Sequence, residues 1–124
     1  MTVSLDQNFE PKALAELLKA NPDEEVVFSP MGENINISLD KSGGYITLNW
    51  SASNIGKYDY VALYDHSPNG DAYGYLTNQW QWTVNHTSPH RTGTWADGKA
   101  YWIAYCAWGN GNYFVQAQAG PFFP

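Results

Sequence analysis

Asn85, His86, His90 and Arg91 stand in one turn-rich stretch of this chain, and Trp108, Asn110 and Asn112 stand in another. Planar amides and a guanidinium form paired hydrogen bonds that suit vicinal hydroxyls, while an indole offers a flat apolar surface to the C–H face of a sugar ring. The chemistry these types favour is recognition of a neutral polyhydroxylated ligand. Trp108 is the expected stacking surface, with Asn85, Asn110, Asn112 and Arg91 as hydrogen-bond partners. His86 or His90 adds a polar contact that weakens on protonation near about pH 6. Asp65, His66, Asn69 and Asp71 make a further polar loop, which joins the site if the topology brings it to the same end. In Trp80-Gln81-Trp82, alternation sets two indoles on one face.

Other chemistries find less support. The spacing of His86 and His90 suits a metal on a helix, but Ser88-Pro89 between them interrupts any helix. The stretch from Asp65 to Asp71 has the ligand types of a calcium loop, yet lacks the Asp-x-Asn-x-Asp-Gly order and the closing Glu. No Gly-x-Ser-x-Gly elbow and no phosphate-cradling glycine loop is present. Cys106 falls mid-strand among aromatics and reads as a packed, inert thiol. Asp59, between Tyr58 and Tyr60, reads as a hydrogen-bonded aspartate where a strand begins. The expectation is a binding protein that is not an enzyme and uses neither cofactor nor metal.

These residues need a scaffold, and the hydrophobic period supplies it. Residues 9–22 predict one helix: Pro11 suits the first helical position, Leu14, Leu17 and Leu18 form a stripe, and Asn21-Pro22 stops it. With Glu10 as N-cap, Phe9 and Leu14 fall at the two positions of a hydrophobic staple. So short a helix must dock its leucines, either on its own sandwich or on a twofold mate. From residue 25 the period is two. Strands are predicted at Val26–Phe28, Ile35–Leu39, Tyr45–Trp50, Tyr58–Tyr64, Ala72–Thr77, Trp80–Val84, Thr92–Trp95, Tyr101–Ala107 and Tyr113–Gln118. Gly/Asn/Ser/Pro turns separate them. The division is a helical segment over 1–24 and a β domain over 25–124. In Tyr101–Trp108 both alternating faces are apolar, so this strand must be covered on both sides.

A chain of 124 residues can build one such domain without disulfides, and the single cysteine cannot form an internal one. The net charge of −6 sits entirely in residues 1–40, while residues 41–124 set Asp59, Asp65, Asp71 and Asp97 against Lys41, Lys57, Arg91 and Lys99. An electroneutral, Trp- and Tyr-rich surface lacks the clustered cations that nucleic acid requires. With no signal-peptide pattern at the start, synthesis in the cytoplasm is expected, with any release by a non-classical route. Six tryptophans exceed what a core of this size encloses, so one or two are expected at the surface. They serve a glycan, a protein partner or a membrane surface.

Tyr58-Asp59-Tyr60-Val61-Ala62-Leu63-Tyr64, Tyr101-Trp102-Ile103-Ala104-Tyr105 and Gly120-Pro121-Phe122 resemble the Asp-Trp-Ile-Gly-Leu-Tyr, Tyr-x-Phe-x-Tyr and Asn-Pro-Phe landmarks of SKICH-type domains. The resemblance covers roughly residues 45–122, with Tyr60 in place of Trp and Ala62 in place of Gly. It implies an immunoglobulin-like fold and a non-catalytic binding or targeting role. The expected fold is thus mainly β, an antiparallel immunoglobulin-like β-sandwich with a short N-terminal amphipathic helix. Antiparallel strands alternate direction, so loops 85–91 and 108–112, two strands apart, belong at one end. Whether loop 65–71 or loop 51–57 completes that end depends on whether Ala72–Thr77 and Trp80–Val84 are separate strands. The function expected is lectin-like glycan binding, with a membrane-active or protein-binding module as the alternative and a homodimer through the helix as a source of valency.

Overall fold

A computed structural model describes residues 9–20, 33–109 and 111–124. Its elements are α1 (Pro11–Ala20), β1 (Glu33–Ser42), β2 (Tyr45–Ser53), β3 (Tyr60–Tyr64), β4 (Trp80–Trp82), β5 (His90–Trp95), β6 (Tyr101–Gly109) and β7 (Asn112–Phe122). The predicted strand Val26–Phe28 and the helix stop Asn21-Pro22 lie outside the described residues. Two antiparallel sheets, β1-β2-β5 and β4-β3-β6-β7, pack as a sandwich. Among the described residues no helix is long and apolar enough to cross a membrane.

Alternation explains the core between the sheets. Ile46, Leu48 and Trp50 from β2 meet Val61 and Leu63 from β3 and Tyr101, Ile103 and Tyr105 from β6. The opposite face of β3 and β6 is apolar as well, and it is covered by α1. Leu14, Ala15 and Leu18 pack there with Tyr60, Tyr64, Trp80, Trp82, Cys106 and Trp108, and Phe9 adds partial cover as the staple requires. The leucine face expected to meet either the sandwich or a mate therefore meets the sandwich. Every residue of β3 is buried because both of its faces are covered.

One predicted strand is absent. Residues 72–77 form turns, because Tyr60 Oη donates to the carbonyl of Ala72 and Tyr64 Oη to that of Asp71 at 2.7 Å, pinning this segment across the sheet instead of along its edge. Positive φ at Asn69, Gly70 and Asn78 breaks the extended chain on both sides. Leu76 N donates to Leu63 O, and Leu63 N to Gln79 O, so the long β3–β4 connection takes up hydrogen bonds that a further strand would otherwise use.

The strand parity follows. The β2–β3 connection joins the β4–β5 and β6–β7 connections at one end: Thr83 N donates to Asp59 O at 3.1 Å, and Tyr113 Oη donates to Tyr58 O at 2.7 Å. The β3–β4 connection lies at the other end, with the β1–β2 and β5–β6 turns and the C-terminus. Loop 51–57, not loop 65–71, completes the end that carries loops 85–91 and 108–112. The three histidines are therefore not gathered together.

Candidate functional site

The end that sequence favoured holds fewer free groups than its residue types promise. Asn85 is exposed in a left-handed turn, and His86 is exposed with its Nδ1 3.0 Å from Val84 O. Trp108, the expected stacking surface, is only 3% exposed and lies edge-on to Tyr113, ring centroids 5.2 Å apart. It points to the α1 side of β6, where the helix and the long connection cover it. Asn112 Oδ1 accepts from Tyr73 Oη at 2.7 Å and from Tyr113 N at 2.9 Å, so that amide oxygen is spent on fastening the hairpin. Asn110 lies outside the described residues.

The second group is at the opposite end. Asp65 Oδ1 and His66 Nδ1 pair at 2.7 Å on the surface, Asn69 occupies a left-handed turn, and Asp71 Oδ1 accepts from Tyr73 N at 2.9 Å. These are turn-making contacts. Among the described residues no group of three or more His, Cys, Asp or Glu side chains is placed to hold a metal. Trp80 and Trp82 are wholly buried, centroids 5.1 Å apart, on one face as alternation requires. Burial pushes the Cys106 thiol up to about 12, in keeping with an inert packed group. Asp59 Oδ2 accepts from Tyr105 Oη at 2.6 Å and from Gly56 N at 2.9 Å, holding the turn that leads into β3.

Arg91 leaves that end altogether. On β5, Arg91, Gly93 and Trp95 face outward while Thr92 is buried with its Oγ1 donating to Ile46 O at 2.7 Å. The pairs Thr47↔Arg91 and Tyr45↔Trp95 bring these side chains onto the outer face of the three-stranded sheet. There the Trp95 indole is 60% exposed and meets Tyr45 edge-on, centroids 5.4 Å apart. Arg91 Cζ sits 5.7 Å from the Tyr45 centroid, which orients the guanidinium by a cation–π contact. Gly44 makes this possible: its φ is +87°, and a Cβ there would lie 2.4 Å from the indole. An open hollow of about 480 Å³ is lined by Tyr45, Arg91, Thr92 and Gly93.

Along the same face the pairs Ser38↔Asn49 and Asn36↔Ser51 floor a second hollow of about 330 Å³. Its wall is Ser88, whose Oγ accepts from Trp50 N at 2.8 Å where β5 has not yet begun. Asn49 Oδ1 is buried without a hydrogen-bond partner. An unmatched buried acceptor costs about 1–3 kcal/mol. Amides, hydroxyls, one guanidinium and one flat exposed indole thus share a single sheet face. Tyr45, Asn49 and Trp95 lie on strands outside the turn-rich segments, although the alternation Tyr45-Ile46-Thr47-Leu48-Asn49-Trp50-Ser51 already separates a polar face from an apolar one.

Two glutamines fix β5 to the other sheet. Gln79 Oε1 accepts from Gly93 N at 2.6 Å, and Gln81 Nε2 lies 3.2 Å from His90 Nδ1. Burial, with a smaller contribution from the charge of His86, lowers the His90 pKa below its ordinary 6.5. The unfolded chain then takes up a proton that the native state refuses, so stability is full above about pH 6.5 and falls as pH drops from there toward the lowered native value. We expect the melting temperature to decline on acidification through that window, and His90→Gln to flatten the decline. An unchanged slope in His90→Gln would assign the acid sensitivity elsewhere.

Comparison with known proteins finds no matching family model, no similar curated protein and no similar solved structure.

Proposed function

We propose that this is a non-enzymatic carbohydrate-binding protein that engages its ligand on the outer face of β1-β2-β5. One observation carries the reading: the exposed Trp95 indole, propped by Tyr45 over Gly44, stands on the same face as Arg91 and an amide- and hydroxyl-lined hollow. A sugar ring presents C–H groups to such an indole and hydroxyls to such amides. The site differs from the loop end that the residue types alone favour, but the ligand chemistry is the same. A glycan array followed by calorimetry tests it. Trp95→Ala should weaken the best saccharide about tenfold or more while costing only about 1 kcal/mol of stability, since the indole is mostly in solvent and packs chiefly against Tyr45 and Gly44. An array without hits, or Trp95→Ala binding as tightly as the parent, removes the reading.

A second reading shares Tyr45 and Trp95 with the first and adds Phe123. Tyr45, Trp95 and Phe123, at 37%, 60% and 67% exposure, all belong to the end formed by the β1–β2 turn, the β5–β6 turn and the C-terminus. Exposed aromatics at one end support a membrane-surface or protein-binding module, and the SKICH-type immunoglobulin-like resemblance supports a targeting role of that kind. Co-sedimentation with neutral and anionic vesicles, with and without competing sugar, separates the two. Sugar-insensitive sedimentation favours the membrane, and its absence removes the membrane reading.

A further inference from the structure

We infer that the saccharide bound by this face carries a carboxylate, and that Arg91 is the residue that selects it. The inference rests on the carbohydrate reading above and narrows it to an acidic sugar. Arg91 is exposed on the sheet face, and no carboxylate among the described residues lies within ion-pair range of its guanidinium. Its contact with the Tyr45 ring orients the fork without neutralising it. A guanidinium so held matches a carboxylate through two parallel hydrogen bonds, and those charge-assisted bonds are about twice as strong as neutral ones. A neutral hydroxyl leaves most of that capacity unused.

The surrounding charge is compatible with an anion. Asp40 is the carboxylate that shares the row, opposite Thr47, which in turn stands opposite Arg91. Two strand spacings, about 9–10 Å, separate the Asp40 and Arg91 backbones. Asp40 Oδ1 accepts from the Lys41 amide at 2.8 Å, directing that oxygen to its own strand. Along β2, Asn49 and Tyr45 are four residues apart, a span of about 13 Å. An oligosaccharide lying along β2 therefore places one ring on Trp95, an acidic group on Arg91, and hydroxyls at the hollow lined by Asn36, Ser38, Asn49 and Ser51.

The test is an array in which each uronate- or sialate-terminated glycan is printed beside its methyl ester, read with the parent protein, Arg91→Gln and Trp95→Ala. The acids should bind about tenfold or more better than their esters, with the preference shrinking as salt rises because the pair is exposed. Arg91→Gln should erase the preference, bringing the acids down to the level of their esters, and Trp95→Ala should weaken acids and esters alike. Equal binding of acids and esters by the parent overturns the inference and leaves the carbohydrate reading standing. Retention of the full acid preference by Arg91→Gln overturns it too. An array with no hits of either kind overturns the carbohydrate reading, and this inference with it.

Discussion

Replacing Trp108 by alanine should destabilise the protein by about 3–5 kcal/mol, the usual cost of emptying a large aromatic site in a core, and should leave saccharide affinity unchanged in whatever fraction folds. The indole is 3% exposed and edge-on to Tyr113, in the same buried cluster as Leu14 and Leu18 of α1. Its removal opens a void shared by the helix and the four-stranded sheet. A urea titration reads the loss as a shift in midpoint. Should the alanine variant fail to fold, Trp108→Phe keeps most of the volume and still allows binding to be compared with the parent. A Trp108→Ala protein as stable as the parent would contradict the placement of this side chain, and a Trp108→Phe protein that is stable but blind to saccharide would return the site to the loop end.

The second large effect is expected at Asp59, which is 2% exposed. Asp59→Ala leaves Tyr105 Oη without its 2.6 Å acceptor and Gly56 N without its 2.9 Å acceptor, both in buried surroundings. Hydrogen bonds to a charged group are worth about 1.5–3 kcal/mol each, so the expected loss is about 3–6 kcal/mol. Tyr105 also suffers on the other side of the pair: burial, then the bond to Asp59, raises its phenol well above 10, so it stays a donor throughout the ordinary pH range. Tyr105→Phe alone should cost less, because Asp59 keeps the Gly56 amide. A double-mutant cycle of the two should show a coupling of about 1–3 kcal/mol, and additive losses would mean that the Asp59–Tyr105 contact does not form.

Both residues bear on how much of this molecule could be read in advance. The sandwich was legible because period-two runs such as Ile46-Thr47-Leu48 and Tyr101–Ala107 specify faces directly, and the double burial of β6 followed from its apolar residues on both sides. The helix was legible from Pro11 and the leucines, including its need to dock. What alternation cannot say is which apolar face receives which layer. Trp108 was therefore recognisable as an aromatic beside a loop, but its cover by α1 depends on a contact between residues far apart in the chain. Ala72–Thr77 looked like a strand for a similar reason: its composition suits one, and the two tyrosine hydroxyls that hold it across the sheet come from β3.

The outer-face site was half legible. Tyr45, Thr47, Asn49 and Ser51 alternate as a polar face of β2, and Arg91, Gly93 and Trp95 alternate on β5, yet nothing local pairs these strands. Their meeting is a matter of register between β2 and β5, fixed by Tyr45↔Trp95 and Thr47↔Arg91. Gly44 marks the place in the sequence where the indole must pass, but a glycine after Gly43 reads first as a turn. The loop residues stand out in the sequence because their types are polar and their turns obvious. The sheet face carries its groups on rigid strands, where their geometry is better defined.

The most direct measurement is a map of the ligand on the protein. Titrating isotope-labelled protein with the tightest saccharide found on the array, and following chemical shifts, should move the backbone signals of Tyr45, Asn49, Arg91 and Trp95 and the indole Nε1–H of Trp95. Shifts confined to Asn85, His86 and Asn112, with Trp95 undisturbed, would contradict the account and put the ligand at the loop end.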